Sequence, residues 1–333
     1  MASILKKPPF ARRSVATVTG AVLTNAGQIK IPLDMGMLIE EHIINVDMSQ
    51  TWGTNPPTAF DPRKCFSKVE LVSSQGTHVS ADGYQFYDAM RVTESSSANV
   101  VAYGAGSGAA ATASFSMDLH HIMDEAHQDL LTALRSADVS GLQLVLTCAA
   151  DASSGFSGGS GTVGAAAYTV NVEEKSLPGL SGKTKQDRDA IGYGNATHRL
   201  MSIGEIIGGA AVTSQQFKLK TGNKTRFLVL HCHSVTGGVP ANGIVDEISL
   251  TINGVDYYRN TKAVALQQDN TKHRGLNVTG LIVLDRGQDI SQWFDLRNLN
   301  EVKLEVKTLA TAPASWRVTC AQDYAEGLEK FGL

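Results

Sequence analysis

One order of alternating segments occurs twice along the chain, and this repetition constrains the fold more than any other feature of the sequence. Residues 31–46 carry a strand, a turn and a second strand, and residues 217–230 carry the same unit. Alternation of apolar and polar side chains with a period of two is typical of a strand with one buried face. A repeat of this length predicts two similar domains built from strands.

Three further units follow in the same order in both halves of the chain. The paired segments are 69–76 with 248–254, 115–118 with 282–285, and 142–172 with 302–320. In the first of these pairs the alternating strand ends at Gly76 or Gly254, and glycine suits the positive φ of a hairpin turn. Four matches in one order do not arise from composition alone, so the repeat indicates a duplication.

These ordered units resemble the double jelly-roll major capsid proteins of tailless icosahedral viruses, the lineage of membrane-containing bacteriophages and adenovirus hexon. The resemblance rests on strands that end in Gln75-Gly76 and Asn253-Gly254 and on the closing strand pairs, and it covers residues 27–324. It implies an all-β chain of two tandem eight-stranded jelly-roll β-sandwiches with short helices in loops.

The repeat and the resemblance together divide the chain. We expect a flexible basic amino-terminal arm at 1–26, jelly roll 1 at 27–175, a linker at 176–213, jelly roll 2 at 214–326 and a carboxy-terminal tail at 327–333. One helix is predicted between Leu119 and Leu134, where apolar residues approximate one helical face. The glycine-rich insertions 99–113 and 153–166 are predicted to be loops.

The resemblance also implies a function. Such a chain would be a major capsid protein, made in the host cytoplasm and located in the virion. It would assemble as pseudo-hexagonal homotrimers that tile an icosahedral shell. Its partners would be neighbouring capsomers, penton or minor capsid proteins, and an internal lipid membrane or the genome. No enzymatic activity and no cofactor is implied.

The basic amino-terminal segment is the predicted contact with a membrane or genome. It contains Lys6, Lys7, Arg12 and Arg13, and cationic side chains bind phosphates of lipid headgroups or nucleic acid. The alternative is a solubilising, disordered terminus, since charge runs are often solvated. Lys and Arg total 29 against 32 Asp and Glu, so the whole chain has no basic field and any such contact is local.

Two other classes of function fit some residues. A secreted two-domain β-sandwich that binds carbohydrate would use exposed aromatic side chains. The candidates are Trp52, Tyr84, Tyr257, Tyr258, Trp293 and Trp316. Four scattered cysteines and the lack of an export signal favour a reducing cytoplasm over this secreted class.

A hydrolase or cupin-like enzyme would need a metal cluster. His231 and His233 share one strand face, and His120, His121 and His127 cluster in sequence, but no full set of spaced ligands accompanies them. The carboxylate pairs Glu40-Glu41 and Glu173-Glu174 are expected at solvated edges.

The segment 104–109 satisfies the written G-x-G-x-x-G/A dinucleotide fingerprint, but its surroundings lack a strand, turn and helix unit. We therefore expect a surface loop there, with no metal and no cofactor in the chain.

Overall fold

The computed structural model of this chain forms two compact units, which consist of residues 1–83 with 98–198, and 84–97 with 199–333. The structure describes residues 11–23, 27–33, 38–94, 102–105, 110–122, 132–150, 155–177, 186, 194, 196–209, 213–234, 239–287 and 290–328. Within these ranges, neither α-helix is long and apolar enough to cross a membrane.

The described residues of the first unit form twelve strands. They are β1 (Ala11–Leu23), β2 (Gln28–Pro32), β3 (Leu38–Thr51), β4 (Ala59–Phe60), β5 (Phe66–Ser73), β6 (Gly76–Ala81), β7 (Ala102–Ala105), β8 (Ala110–His120), β9 (Leu134–Arg135), β10 (Gln143–Cys148), β11 (Phe156–Ser157) and β12 (Ala166–Leu177). One sheet has the order β1-β12-β3-β8-β7, with β9 also paired to β3. Strands β6-β5-β10-β2 form the second layer, and β4 pairs with β11.

Alternating side chains of these strands fill the core of the first unit. In β3, Ile44, Val46 and Met48 are buried, whereas Asp47 and Ser49 between and beyond them are exposed. Aromatic rings join the two layers, since Phe66 of β5 lies 5.7 Å from the Tyr168 ring of β12, centroid to centroid. Burial of one face per strand at about 25 cal/mol per Å² of apolar area holds the two sheets together.

In the second unit, the part of the chain that the structure describes has ten strands. They are β13 (Thr197–Gly209), β14 (Ser214–Lys218), β15 (Lys224–Ser234), β16 (Val239–Pro240), β17 (Val245–Ile252), β18 (Val255–Lys262), β19 (Leu281–Asp285), β20 (Phe294–Asp295), β21 (Lys303–Thr308) and β22 (Ser315–Glu326). The order β16-β15-β22-β13 forms one sheet, in which β19 and β20 also pair with β15. The other sheet has the order β14-β21-β17-β18.

The core of the second unit lies between these two sheets. Leu228 and Leu230 of β15 meet Ile248 and Leu250 of β17 in one buried cluster. Trp316 of β22 is fully buried in the same cluster. The alternation that predicted these strands therefore also determines which of their side chains fill the core.

Helices occur at equivalent places in the two halves. Helix α1 (Gly83–Glu94) follows β6, and helix α2 (Ala263–Arg274) follows β18. Gly275 caps the end of helix α2, and its φ of +66° allows its N–H to donate to the carbonyls of the last turn. Short 3-10 helices cover Pro62–Lys64 and Ser136–Asp138.

The duplication extends through the strand order. In the first unit β1-β12-β3-β8 faces β2-β10-β5-β6, and the same positions in the second unit are taken by β13-β22-β15-β19 and β14-β21-β17-β18. Each unit therefore has the two four-stranded sheets of a jelly roll, as predicted. Val46 lies opposite Val170, and its counterpart Leu230 lies opposite Cys320. The last strands thus correspond with an offset of two residues from the match made in sequence.

The first strand of each unit lies outside the predicted domain boundaries. Strand β1 occupies residues 11–23 of the segment 1–26 that was expected to be a flexible arm, and β13 lies within the expected linker 176–213. Each of these strands pairs with the last strand of its own unit, β12 or β22. Their hydrogen bonds come from residues more than 100 positions away, so local alternation did not mark them.

Three local predictions also differ from the structure. Leu119 lies in β8 and Leu134 begins β9, so no single helix covers this segment, and residues 123–131 lie outside the described part of the chain. The insertion 99–113 contains β7 and the start of β8. The insertion 153–166 contains β11, which pairs with β4. In the described parts of these segments, β7 pairs with the adjacent β8, whereas β8 and β11 pair with the distant strands β3 and β4.

Candidate functional site

The arginines predicted to bind phosphates lie on strand β1. Arg12 forms an ion pair with Glu173, and Arg13 donates from Nε to Glu174 Oε1 at 2.6 Å. The Glu174 side chain is fully buried, whereas the side chain of Arg12 is 57% exposed. Lys6 and Lys7 lie outside the described residues. The antiparallel register of β1 and β12 places Arg13 opposite Glu174 and Arg12 opposite Lys175, so Arg12 reaches Glu173 diagonally.

The row of charged side chains that starts at Arg12 and Arg13 continues across the sheet onto β3 and β8. Lys175 Nζ lies 2.5 Å from Glu41 Oε2, and His120 Nε2 lies 3.2 Å from Glu41 Oε1. Burial acts to lower the pKa of Lys175, but the hydrogen bond and charge of Glu41 outweigh it and the pKa is raised. Glu41 and Glu174 are therefore buried, paired groups, and the expectation that both carboxylate pairs are solvated was wrong for them.

This row changes the chemistry available to Arg12 and Arg13. A phosphate that approached either guanidinium would compete with a carboxylate already held at hydrogen-bonding distance. Charge-assisted pairs of this kind are the stronger protein hydrogen bonds, and their geometry here follows from the strand register. The two arginines therefore attach β1 to β12 in the described structure.

Buried histidines form a second polar group in the first unit. His42 Nδ1 and His121 Nε2 lie 2.9 Å apart, and the His121 ring meets the His198 ring at a centroid distance of 6.3 Å. Burial lowers the pKa of His42 to about 3. Burial, followed by the neighbouring imidazoles, lowers the pKa of His121 well below its usual range. Both rings are thus neutral at pH 7.

A buried acid and base pair lies in the second unit. His231 Nε2 of β15 is 2.7 Å from Asp88 Oδ2 of helix α1, and the two side chains are 1% and 0% exposed. The Tyr84 ring of the same helix lies 4.6 Å from the His233 ring in an edge-on arrangement. These contacts place one face of α1 on the side of β15 that points away from the unit's core.

The histidines do not assemble a metal centre in the described residues. No group of three or more His, Cys, Asp or Glu side chains there has the geometry to hold an ion. His231 instead bonds Asp88, and His120 contacts Glu41. His127 lies outside the described part of the chain. The four cysteines are buried free thiols.

The remaining candidate sites have structural roles. Gly104 lies in β7, and residues from Ala110 onward form strand β8 where a dinucleotide site would need a helix. Among the aromatic residues considered for carbohydrate binding, Trp52, Tyr84, Trp293 and Trp316 are buried. Sugar stacking needs accessible rings, so this set does not form the exposed platform that the carbohydrate hypothesis requires.

Sequence reasoning missed the partners of these groups. Glu173 and Glu174 belong to a run of charged residues whose significance depends on β1 lying beside them. Asp88 sits in a helix that was not predicted. The signal for α1 in the sequence is the helical spacing of Phe86, Ala89 and Met90, all of which are buried.

Comparison with known proteins bears on the whole architecture. No protein-family model matches the chain. No curated protein matches it in sequence. Among solved structures, the STIV major capsid protein superimposes with a TM-score of 0.72 at 14% identity, over 98% of this chain and 99% of that one.

Two further structures have the same architecture. The major capsid protein P2 of bacteriophage PM2 gives a TM-score of 0.58 at 10% identity, over 95% of this chain and 98% of that one. The PBCV-1 virus capsid gives 0.60 at 14% identity, over 96% and 94%. The chain has the double jelly-roll fold. The likeness spans both units and is not limited to one sandwich, which confirms the predicted tandem arrangement.

Proposed function

We propose that this double jelly-roll chain is a major capsid protein, which assembles as pseudo-hexagonal homotrimers that tile an icosahedral virion shell. The observation that carries the proposal is the tandem duplication itself. Two jelly rolls of identical strand order stand in one chain, and its full length superimposes on capsid proteins of similar length. A structural role of this kind needs contact surfaces and no catalytic pocket.

The duplication has a geometric consequence for assembly. Three copies of a chain with two similar units provide six similar units, which suits a position of sixfold packing in a shell. Closed symmetric rings are the common form of soluble oligomers, and a head-to-tail contact that closes after three copies gives such a ring. Neighbouring capsomers and penton or minor capsid proteins are the partners in this proposal, and the virion is its location.

The amino-terminal segment supports a narrower part of the proposal. Arg12 and Arg13 bind carboxylates of β12, so contact with genome or lipid phosphates falls mainly to Lys6 and Lys7. Each basic residue near an anionic surface contributes about 1 kcal/mol of binding free energy. Two lysines alone therefore give weak attraction per chain, which the many copies of a shell would multiply.

Solution mass tests the proposal directly. Light scattering of the purified chain should give three times the 35.4 kDa chain mass, and electron microscopy should show particles of triangular or hexagonal outline. A monodisperse monomer at high concentration would contradict the capsid proposal.

A double Lys6→Ala, Lys7→Ala variant tests the arm. It should keep the trimer mass and bind anionic vesicles less than the unaltered chain. Equal vesicle binding by both proteins would contradict the assignment to the lysines. An Arg12→Ala variant serves as the comparison, because Arg12 is paired with Glu173.

A further inference from the structure

Helices α1 and α2 occupy equivalent positions in the repeat but differ in exposure. Each has 12 residues and follows the second strand of a hairpin. In α1, the residues from Tyr84 to Thr93 are buried except for the half-buried Arg91. In α2, by contrast, Val264 is 61% exposed and Gln268 is also exposed. The duplicated helix therefore has a bare face where the first helix is covered.

The face of α1 that is covered packs on strand β15. Asp88 bonds His231, and Tyr84 lies against the His233 ring. Both histidines point away from the core of their sandwich, because the intervening Cys232 points into it. Both are nevertheless buried, at 1% and 0% exposure. Helix α1 thus accounts for contacts on the outward face of β15.

Counting from the helix starts relates the two helices. Phe86 and Met90 of α1 are buried, and the residues at the same positions of α2, Leu266 and Asn270, are buried as well. The same count places Val264 at the position of Tyr84. It also places Gln268 at the position of Asp88. The two exposed positions of α2 are therefore those that α1 uses to contact β15.

Strand β3 is the counterpart of β15 in the first unit. Val46 and Met48 correspond to Leu230 and Cys232, and all four are buried. The outward positions between and beyond them are Asp47 and Ser49, which correspond to His231 and His233. Asp47 and Ser49 are exposed. The first unit thus has an outward strand face that is bare where its counterpart is covered by a helix.

We propose that helix α2 of one copy packs on the outward face of β3 in the next copy, in the way that α1 packs on β15. This inference rests on the proposed trimer and names its contact surface. Val264 would lie over Ser49, and the Gln268 side-chain N–H would donate to the Asp47 carboxylate. Asp47 already accepts from Ser114 Oγ–H through Oδ1 at 2.6 Å, which leaves Oδ2 for the amide.

The arrangement explains why the two bare faces belong to one chain. A helix face and a strand face on different units form a heterologous contact, which repeats from copy to copy and closes a ring. The proposed contact also gives the Asp47 carboxylate that it buries a hydrogen-bond partner, so no charge is buried without one. An amide on a carboxylate replaces the Asp88 and His231 pair, and such a bond to a charged acceptor is among the stronger ones.

Cysteine crosslinking tests the geometry. A chain that carries both Asp47→Cys and Gln268→Cys should form disulfides between copies under mild oxidation, because disulfides need Cα atoms within about 7 Å. The expected result is covalent dimers and trimers on a non-reducing gel. Each single variant is the control, and the four native cysteines are buried free thiols that give little background. Only monomer-mass chains in the double variant would overturn the inference.

A substitution pair tests the energetics. Val264→Asp should raise the concentration at which trimers half-dissociate by about tenfold or more, since a buried contact residue at an interface centre carries much of its binding free energy. Val255→Asp is the matched control, because Val255 is 55% exposed on strand β18 and lies outside the proposed contact. Equal dissociation of the two variants would overturn the inference.

The oligomeric state of the unaltered chain distinguishes failure of the capsid proposal from failure of the proposed contact. If it is monomeric at every concentration, the proposed capsid function fails, and the contact fails with it. If it forms trimers while the double cysteine variant stays at monomer mass, the capsid proposal stands and the contact between α2 and β3 is wrong. Trimers that crosslink only in the double variant support both.

Discussion

Acid should destabilise the first unit through His42. The folded pKa of His42 is about 3, against an ordinary value of 6.5, because the ring is fully buried. The unfolded chain therefore binds a proton that the folded chain does not, once the pH falls below 6.5. Each pH unit below that value costs about 1.4 kcal/mol. Lowering the pH to about 4.5 should thus remove about 3 kcal/mol from the free energy of unfolding.

The sign follows from the direction of the pKa change. A histidine with a lowered folded pKa gives stability that is present above pH 6.5 and is lost between 6.5 and about 3. The lowered pKa of His121 adds to the loss in the same direction. His273 lies exposed on helix α2 and provides the comparison.

The measurement is urea denaturation, followed by circular dichroism at pH 7 and at about pH 4.5 and at one protein concentration. His42→Gln should be less stable at pH 7 but should lose about 3 kcal/mol less than the unaltered chain on acidification, because glutamine does not titrate. His273→Gln should behave as the unaltered chain does. An equal acid loss in His42→Gln and the unaltered chain would refute the reasoning.

Three further substitutions test local packing. Asp88→Ala should lower the free energy of unfolding by about 3 kcal/mol, because His231 loses its buried partner. Asp269→Ala on the exposed side of α2 should not have this effect. Equal melting temperatures of the two variants would contradict the prediction. Arg13 pairs with the fully buried Glu174, whereas Arg12 is largely exposed beside Glu173. Glu174→Gln should therefore speed tryptic cleavage at Arg13 more than Glu173→Gln speeds cleavage at Arg12. Similar increases in the two cleavage rates would contradict this prediction. Gly208→Ala, whose Cβ would lie 2.2 Å from the Trp316 ring, should cost about 2 kcal/mol in denaturant titrations. Gly104→Ala, with 3.6 Å of space, should cost far less, and matching values would count against the clash.

Local alternation predicted those strands that have one buried face. The segments 68–72 and 143–148 alternate in sequence, and they form β5 and β10 with their apolar residues inside. Successive side chains of a strand point to opposite faces, so a strand that buries one face in a two-layer core shows alternating apolar and polar residues in its sequence. This alternating pattern occurs twice in the same order, which was sufficient to predict two sandwiches.

Strands β1 and β13 were not predicted because their stability depends on distant partners. In sequence Arg12 and Arg13 look like a solvated basic run, and only the folded chain shows that they pair with Glu173 and Glu174. These partners are 161 residues away along the chain. Sequence spacing carries no information about pairing over that distance.

The buried side-chain pairs could not be predicted from the sequence either. His42 and His121 are 79 residues apart, and Asp88 and His231 are 143 residues apart. Each pair is created by the way strands and helices pack. The contrast between buried Tyr84 and exposed Val264 is likewise a property of packing, because both are apolar residues near the start of a helix.

The sequence alone determined the all-β class, the tandem duplication and most of the residues that face each core, because period two is a local property of a strand. Only the tertiary structure decided where each unit begins, which charges are paired and which helix face is bare. Those features depend on strand register and on contacts between residues far apart in the chain, and chain folding alone brings them together.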